Sequence, residues 1–198
     1  MKNKLFTEKR RIIELILIAL VMNFTLFLIS YYLNLPLWLD TTGTIYISCI
    51  VGFPAGFLVA IVVNVAEAIW MYGENSLLFY FVSLLTALTA GKVYERYKNT
   101  RLKKWCVMLL ALIIVSCSSA VLITFLVNDG IPSNYSSAYL YEMLMNKGCN
   151  GTLSTCLSVA IIKCLDIVVT LLIVFLAIKI TPEKLKTRNV VLLETVEE

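Results

Sequence analysis

The sequence predicts an all-α integral membrane protein with six transmembrane helices and with both termini in the cytoplasm. Its composition and the distribution of its basic residues lead to this fold class. Apolar residues make up 60% of the 198 residues, charged residues make up only 15%, and the mean hydropathy is +0.86. Soluble domains average about 25% charged residues, so this chain lacks the polar surface that a soluble fold needs. We expect one membrane domain over 1–198, with a short cytoplasmic tail at 181–198.

Six apolar segments, separated by polar or helix-breaking residues, are the predicted spans. A transmembrane helix needs about 20 residues to cross the hydrocarbon core, and the first, fifth and last segments reach that length. The six predicted spans are 12–33, 41–51, 55–71, 77–91, 105–127 and 152–180. The first apolar segment is too long for the h-region of a cleavable signal peptide. We therefore expect the first helix to remain in the protein.

Glycine and proline interrupt the apolar stretch between Thr41 and Met71. Two interpretations compete for this stretch: one kinked helix that is too long for a bilayer, or a helical hairpin with a tight turn at 52–56. Closely spaced glycine and proline favour a turn, so we predict the hairpin. A single helix would give five spans and would place the C-terminal lysines outside.

The basic residues lie almost entirely on one predicted side of the membrane. With the N-terminus inside, fifteen of the 17 Lys and Arg residues fall in inner segments, whereas Lys147 alone is outside and Lys163 lies within a span. Cytoplasmic loops carry the excess of Lys and Arg in membrane proteins. An even number of crossings with cytoplasmic termini follows from this asymmetry.

The residue inventory argues against several classes of function. The chain has no histidine, and its six cysteines form no C-x-x-C pair, so we interpret the cysteines as packing residues. Neither a phosphate-binding loop nor a carboxylate motif for a metal is present in the sequence. The basic residues flank apolar spans and form no nucleic-acid footprint. We therefore expect no enzymatic activity, no cofactor and no nucleic-acid partner, with any ATP hydrolysis supplied by another chain.

Polar and aromatic residues gather in three segments on the predicted outer side, at 37–42, 70–75 and from 128 onward. Together such loops would offer aromatic faces and a few placed polar groups, as small-molecule pockets do. The aromatic residues, Trp38 and Trp70 among them, equally match an interfacial belt. Asp40 also suits the N-cap of the second helix, where a carboxylate accepts backbone N–H bonds.

Three ionisable residues, Glu67, Lys163 and Asp166, fall within predicted spans. Such residues are costly in hydrocarbon when unpaired, so they face a partner or an aqueous cavity. Asp166 is the i+3 neighbour of Lys163 on one helix face. Either the two form an ion pair that neutralises both, or at least one of them touches substrate. Asn23 and Asn64 are predicted to form hydrogen bonds between helices.

The segment Leu35-Pro-Leu-Trp-Leu-Asp-Thr-Thr-Gly-Thr44, followed by Gly52-Phe-Pro-Ala-Gly56 and Asn64, resembles the substrate-binding S components of energy-coupling factor transporters. The ending Leu165-Asp-Ile-Val…Ile180-Thr-Pro-Glu-Lys-Leu185 is similar to the same family. So is the fourth span, which runs into a basic inner loop. The likeness covers about residues 10–186, and the first block is its most specific part.

This resemblance implies a six-helix subunit of an ABC-type importer in the plasma membrane that binds a vitamin or related micronutrient from outside. Family members dock onto a membrane coupling subunit and two cytoplasmic ATPases, then topple in the bilayer to release the ligand inward. Asp40 and Thr41 match the family's loop motif directly. The substrate-binding residues implied by location are Trp38, Glu74, Asn75, Asn128 and Lys163, to which the intramembrane Glu67 and Asp166 are added.

Two other classes of function stay open. The chain could be a membrane sensor or interaction module that signals through a partner chain, or an intramembrane enzyme in which Glu67, Lys163 and Asp166 are catalytic. The ligand also stays open, because aromatic surfaces suit thiamine, riboflavin, a corrin or a deazapurine equally. The sequence does not indicate whether the ATPase module is dedicated or shared.

Overall fold

The computed structural model describes residues 2–72, 74–97, 100–182 and 185, with the side chains of 2–8, 71–76 and 101 excepted. Every regular element in this part of the chain is helical. The seven α-helices are α1 (Lys2–Tyr32), α2 (Thr42–Ile50), α3 (Phe53–Glu67), α4 (Tyr80–Arg96), α5 (Arg101–Asn128), α6 (Tyr135–Asn146) and α7 (Gly151–Ile180). A π-helical turn, Ala68–Tyr72, and a 3-10 segment, Glu74–Phe79, join α3 to α4. Most of the predicted tail lies outside the described residues.

Five helical segments are long and apolar enough to cross a membrane. The prediction of an all-helical protein with membrane-spanning helices is therefore confirmed, whereas the number of six spans is not. The five segments are Lys9–Tyr32, Phe53–Trp70, Leu77–Arg96, Leu102–Asn128 and Gly151–Ile180. Each corresponds to one predicted span, although α4 continues five residues past the predicted end at 91 and shortens the basic loop that follows it. The remaining predicted span, 41–51, corresponds to the nine-residue α2. That helix rises only about 14 Å, less than half of the hydrocarbon thickness of about 30 Å.

Helices α2 and α3 form the predicted hairpin, so the single kinked helix is excluded. The chain turns at Gly52, whose φ of 131° lies in a region that side chains disfavour. A Cβ atom on Gly56 would lie 1.8 Å from Ser48 Oγ and 3.2 Å from the carbonyl oxygen of Thr44. The two helices therefore pack in direct contact along a face that only glycine allows. Gly56 belongs to α3, so the turn is tighter than the predicted 52–56.

Helix α2 is also held against α1. Asn23 Nδ2 donates to Thr44 Oγ1 at 3.0 Å, and Asn23 Oδ1 accepts a hydrogen bond from the Gly43 amide. A Cβ atom on Gly43 would lie 2.0 Å from the Ala19 carbonyl oxygen, so the two backbones touch. The predicted inter-helix role of Asn23 is confirmed. Small residues with polar side chains between them are the usual means of packing helices in a membrane.

The position of α2 decides the depth of the loop that precedes it. Every residue of α2 is buried, because α1, α3, α4 and α7 surround it. From the middle of α2, Tyr46 Oη lies 2.8 Å from Thr181 Oγ1, just past the end of α7. At its N-terminus, the Leu39 amide bonds to Asp166, halfway along α7. The loop 33–41 therefore enters the helix bundle as far as the middle of α7.

Helix α6 lies in the polar segment after α5 and was not predicted. It begins after Asn134, whose side chain accepts hydrogen bonds from the amides of Ser136 (3.0 Å) and Ser137 (3.3 Å). Asparagine is among the best N-cap residues, so this start signal was present in the sequence. Asn150 caps α7 in the same way through the Leu153 amide. The two caps fix where α6 and α7 begin.

We predict that Gly43→Ala destabilises the protein, because the new methyl group would overlap the Ala19 carbonyl oxygen. Overpacking of this kind costs about 1–3 kcal/mol, and the melting temperature in detergent should fall accordingly. Gly151→Ala is the matched control, since its Cβ would meet only Tyr141 Oη at an ordinary 3.6 Å. Equal melting temperatures for the two variants would contradict the close α1–α2 contact.

Candidate ligand-binding site

A cavity of about 130 Å³ lies between the loop before α2 and helices α3 to α7. The deep loop 33–41, α3 and α7 contribute charged residues to it, whereas α4 and α5 contribute equal numbers of apolar and polar ones. The lining residues are Trp38, Asp40, Thr41, Asn64, Glu67, Phe79, Val82, Ser83, Ala120, Thr124, Val127, Asn128, Pro132, Ser133, Asn134, Ser137, Val159, Ile162 and Lys163. A pocket with a largely apolar wall and a few converging polar groups is the usual form of a small-molecule site.

Most of the residues predicted to bind substrate come together around this cavity. The six that line it are Trp38, Asp40, Thr41, Glu67, Asn128 and Lys163. Asp166 does not line the cavity but lies behind the loop. The side chains of Glu74 and Asn75 lie outside the described residues, so their predicted contact with substrate stays a prediction. Ligand binding by the other predicted residues likewise stays a prediction, although six of them lie around one cavity.

Asp166 anchors the loop that forms one side of the cavity. Its Oδ1 accepts hydrogen bonds from the amides of Trp38 and Leu39, both at 2.9 Å. Its Oδ2 accepts one from Lys163 Nζ at 3.4 Å. The side chain is fully buried, where charge-assisted hydrogen bonds of this kind are strong. The ion pair between Lys163 and Asp166 is therefore present, and Asp166 acts as a positioning residue.

The loop backbone is strained where Asp166 holds it. Leu39 adopts a φ of 55°, in the left-handed region that residues with a Cβ rarely occupy. Such a conformation persists only where the surroundings hold it in place. Two hydrogen bonds from adjacent amides to one carboxylate oxygen do so here. The strain and the anchor together fix the direction of the next side chain, Asp40.

Lys163 contacts two partners at the edge of the cavity. Besides Asp166, its Nζ lies 5.0 Å from the centre of the Trp38 ring, within the range of a cation–π interaction. Both contacts compensate the ammonium charge. Trp38 is thereby held at the cavity. Trp70, in contrast, is 75% exposed and packs near Phe24, so it suits the membrane-interface belt.

Two carboxylates that line the cavity each have one buried oxygen that no described residue satisfies. Neither Asp40 Oδ1 nor Glu67 Oε1 accepts a hydrogen bond from any residue that the structure describes, although both atoms are buried. The predicted N-cap role of Asp40 is wrong. Thr41 occupies the N-cap position of α2, and Asp40 lies one residue earlier.

Three further polar residues in α3, α4 and α5 line the cavity, although sequence reasoning did not select them as binding residues: Asn64, Ser83 and Thr124. Asn64 Nδ2 donates to Ser83 Oγ at 3.0 Å and to the Ala60 carbonyl at 2.9 Å, which confirms its predicted inter-helix role. Thr124 Oγ1 donates to the Ala120 carbonyl. Serine and threonine in apolar helices commonly bond to their own backbone in this way. A serine or threonine in an apolar helix therefore gives no sequence signal that separates residues lining the cavity from residues elsewhere in the bundle.

Neither a metal site nor a known relative explains the cavity. Among the described residues, no group of three or more Cys, Asp and Glu side chains is arranged to hold a metal ion. Comparison of the chain with protein-family models, curated proteins and solved structures finds no match. The likeness to S components therefore rests on the motif at 35–44 and the shorter motifs after it.

We predict that Asp166→Ala is strongly destabilising, because it leaves two backbone amides and the Lys163 charge without their acceptor. Removing one partner of a buried ion pair costs about 3–5 kcal/mol. The measurement is detergent unfolding followed by circular dichroism. Glu14→Ala is the control, since its ion pair with Arg10 is exposed, with side chains 50% and 76% accessible. Exposed pairs contribute about 0–1 kcal/mol, so equal losses in the two variants would refute the anchoring role.

Proposed function

We propose that the chain is the substrate-binding S component of an energy-coupling factor importer in the plasma membrane. In this proposal it binds a vitamin or related micronutrient from outside. It then delivers the ligand inward together with a membrane coupling subunit and two cytoplasmic ATPase subunits. The chain itself catalyses no reaction and needs no cofactor. One observation carries the proposal: the loop that bears the family motif forms one side of a cavity inside the helix bundle.

The position of the motif residues supports a binding role. Trp38, Asp40 and Thr41 belong to the block that resembles the family, and all three line the cavity. They come from a loop that is held in the bundle by Asp166, 128 residues away from Trp38 in the sequence. A loop with only a connecting role would run over the surface. Its burial next to a cavity is better explained by a site for a small molecule.

The depth of the same loop supports the proposed six crossings. Asp166 lies about 22 Å along α7 from Gly151 at 1.5 Å per residue, and the loop reaches this depth. Helix α2 then adds about 14 Å toward the end of α7 near Thr181. Loop and helix together cover the hydrocarbon thickness of about 30 Å. With this crossing counted, both termini fall on the cytoplasmic side, as the distribution of Lys and Arg predicts.

The position of the cavity in the bundle supports entry of the ligand from outside. Pro132, Ser133 and Asn134, in the connection between α5 and α6, line the cavity. This connection is bonded to the start of α7 by the Thr155 hydroxyl, which donates to the Gly130 carbonyl. In the proposed topology this is the outer end. A ligand would therefore enter past the α5–α6 connection.

Co-purification tests the proposed importer. A tagged chain, isolated from its native membranes in mild detergent, is expected to bring with it a membrane coupling subunit and two ATPase subunits, which mass spectrometry would identify. A tagged multi-pass protein of similar size, expressed at the same level, is the control. Repeated recovery of a kinase or other signalling chain, without ATPases, would contradict the importer and favour the sensor.

We also predict that Asp40→Ala weakens ligand binding at least tenfold, which corresponds to about 1.4 kcal/mol. The reason is that Asp40 offers a buried acceptor to the cavity that no described residue satisfies. The measurement is the dissociation constant of the ligand that co-purifies with the wild-type protein. Glu142→Ala, on the exposed face of α6, should leave the affinity unchanged. Unchanged affinity in a folded Asp40→Ala variant would refute the role of Asp40.

A further inference from the structure

The charges around the cavity are unequal in number. Asp40, Glu67 and Asp166 are close to one cation, Lys163, and no other Lys or Arg among the described residues lines the cavity. Lys163 and Asp166 compensate each other at 3.4 Å. Asp166 also binds two backbone amides through its other oxygen. The carboxylates that remain for a ligand are those of Asp40 and Glu67.

Each of these two carboxylates has a buried oxygen without a donor. Glu67 is only 8% exposed and lines the cavity, and its Oε1 accepts no hydrogen bond from the described part of the chain. The same holds for Oδ1 of Asp40. An ionised carboxylate can only accept hydrogen bonds, and leaving it buried and unpaired is costly. The missing partner is therefore a group with N–H or O–H donors, and a positive charge on it would compensate the carboxylates.

An anionic ligand fits this charge distribution poorly. It would face Asp40 and Glu67, and the one nearby cation is already bound by Asp166 and lies over the Trp38 ring. Like charges placed together in a site of low dielectric repel strongly. With a neutral ligand, the two carboxyl groups would share Lys163 with Asp166, and at least one of them would be buried in its protonated form. A cationic ligand instead allows both to stay ionised. Electrostatics thus selects a cation.

Size and the apolar wall restrict the rest of the ligand. The cavity volume of about 130 Å³ is close to that of an engineered cavity of about 150 Å³ that binds benzene. Phe79, Val82, Val159 and Ile162 supply an apolar surface, and Trp38 supplies an indole ring beside the charged groups. One planar ring fits this space.

We propose that the cavity binds a small organic cation, a protonated amine or amidine carried on a single ring. Its N–H groups are held by Asp40 and Glu67, and its ring lies against the apolar wall. This inference rests on the proposed function for the assumption that the cavity is a substrate site. It adds the chemical class of the substrate, which the sequence left open.

Three ring compounds that differ only in charge test this class: benzamidine, which is cationic, benzamide, which is neutral, and benzoate, which is anionic. Dissociation constants for the purified full-length chain in detergent would come from isothermal titration calorimetry. We expect benzamidine to bind at least tenfold more tightly than benzamide and benzoate to show no binding. Equal or tighter binding of benzamide or benzoate, or binding of none of the three, would overturn the proposal.

Two variants assign the selectivity to the named carboxylates. In Glu67→Gln and in Asp40→Asn, the ratio of the benzamide and benzamidine dissociation constants should fall about tenfold, and measuring both covers the case in which one variant does not fold. Glu142→Gln removes an exposed carboxylate of α6 and should keep the wild-type ratio. An unchanged ratio in the folded carboxylate variants would overturn the assignment.

Failure of this inference is distinguishable from failure of the proposed function. Selective binding of benzamidine without a co-purifying coupling subunit would keep the cation site and contradict the importer. Recovery of the coupling subunit and ATPases with a preference for benzoate would keep the importer and overturn the cation site.

Discussion

The carboxylate of Asp166 is the interaction on which the rest of this structure depends. It lies fully buried halfway along α7 and binds two adjacent amides of the loop before α2 as well as Lys163. In a medium of low dielectric, each of these groups would be costly if left alone. Together they hold the loop deep in the bundle. The strained backbone at Leu39 and the direction of the Asp40 side chain follow from that anchor.

Close backbone contacts make the surroundings of this anchor rigid. Gly43 meets Ala19 of α1, and Gly56 meets Ser48 across the α2–α3 turn. Lipid offers no hydrophobic driving force between helices, so packing of small residues and hydrogen bonds such as that of Asn23 must stabilise the bundle. Helix α2 is therefore enclosed on all sides. A loop attached to a fixed helix and to a fixed carboxylate can present side chains in a defined geometry.

The cavity combines this fixed loop with an electrostatic imbalance. Lys163 is compensated by Asp166 and by the Trp38 ring, whereas Asp40 and Glu67 each keep a buried oxygen without a described donor. Ionisable groups at membrane depth are expensive and mark functional sites more often than structural ones. The balance of charges says more about the ligand than the aromatic residues do, because every candidate ligand class has an apolar surface.

The sequence by itself determined the helical membrane class, the positions of five of the six predicted spans, the α2–α3 turn and the inter-helix roles of Asn23 and Asn64. Hydropathy, glycine and proline positions and single amides in apolar segments are local signals. The start of helix α6 could also have been predicted, because Asn134 is a favourable N-cap residue. Only the tertiary structure decided that α2 is half a span, that Asp166 binds the loop backbone, and that Ser83 and Thr124 line the cavity. There are two physical reasons. The lipid-facing and protein-facing sides of a membrane helix are both apolar, so the sequence does not show which side faces inward. The contact between Asp166 and Trp38 joins residues 128 positions apart, which no local pattern indicates.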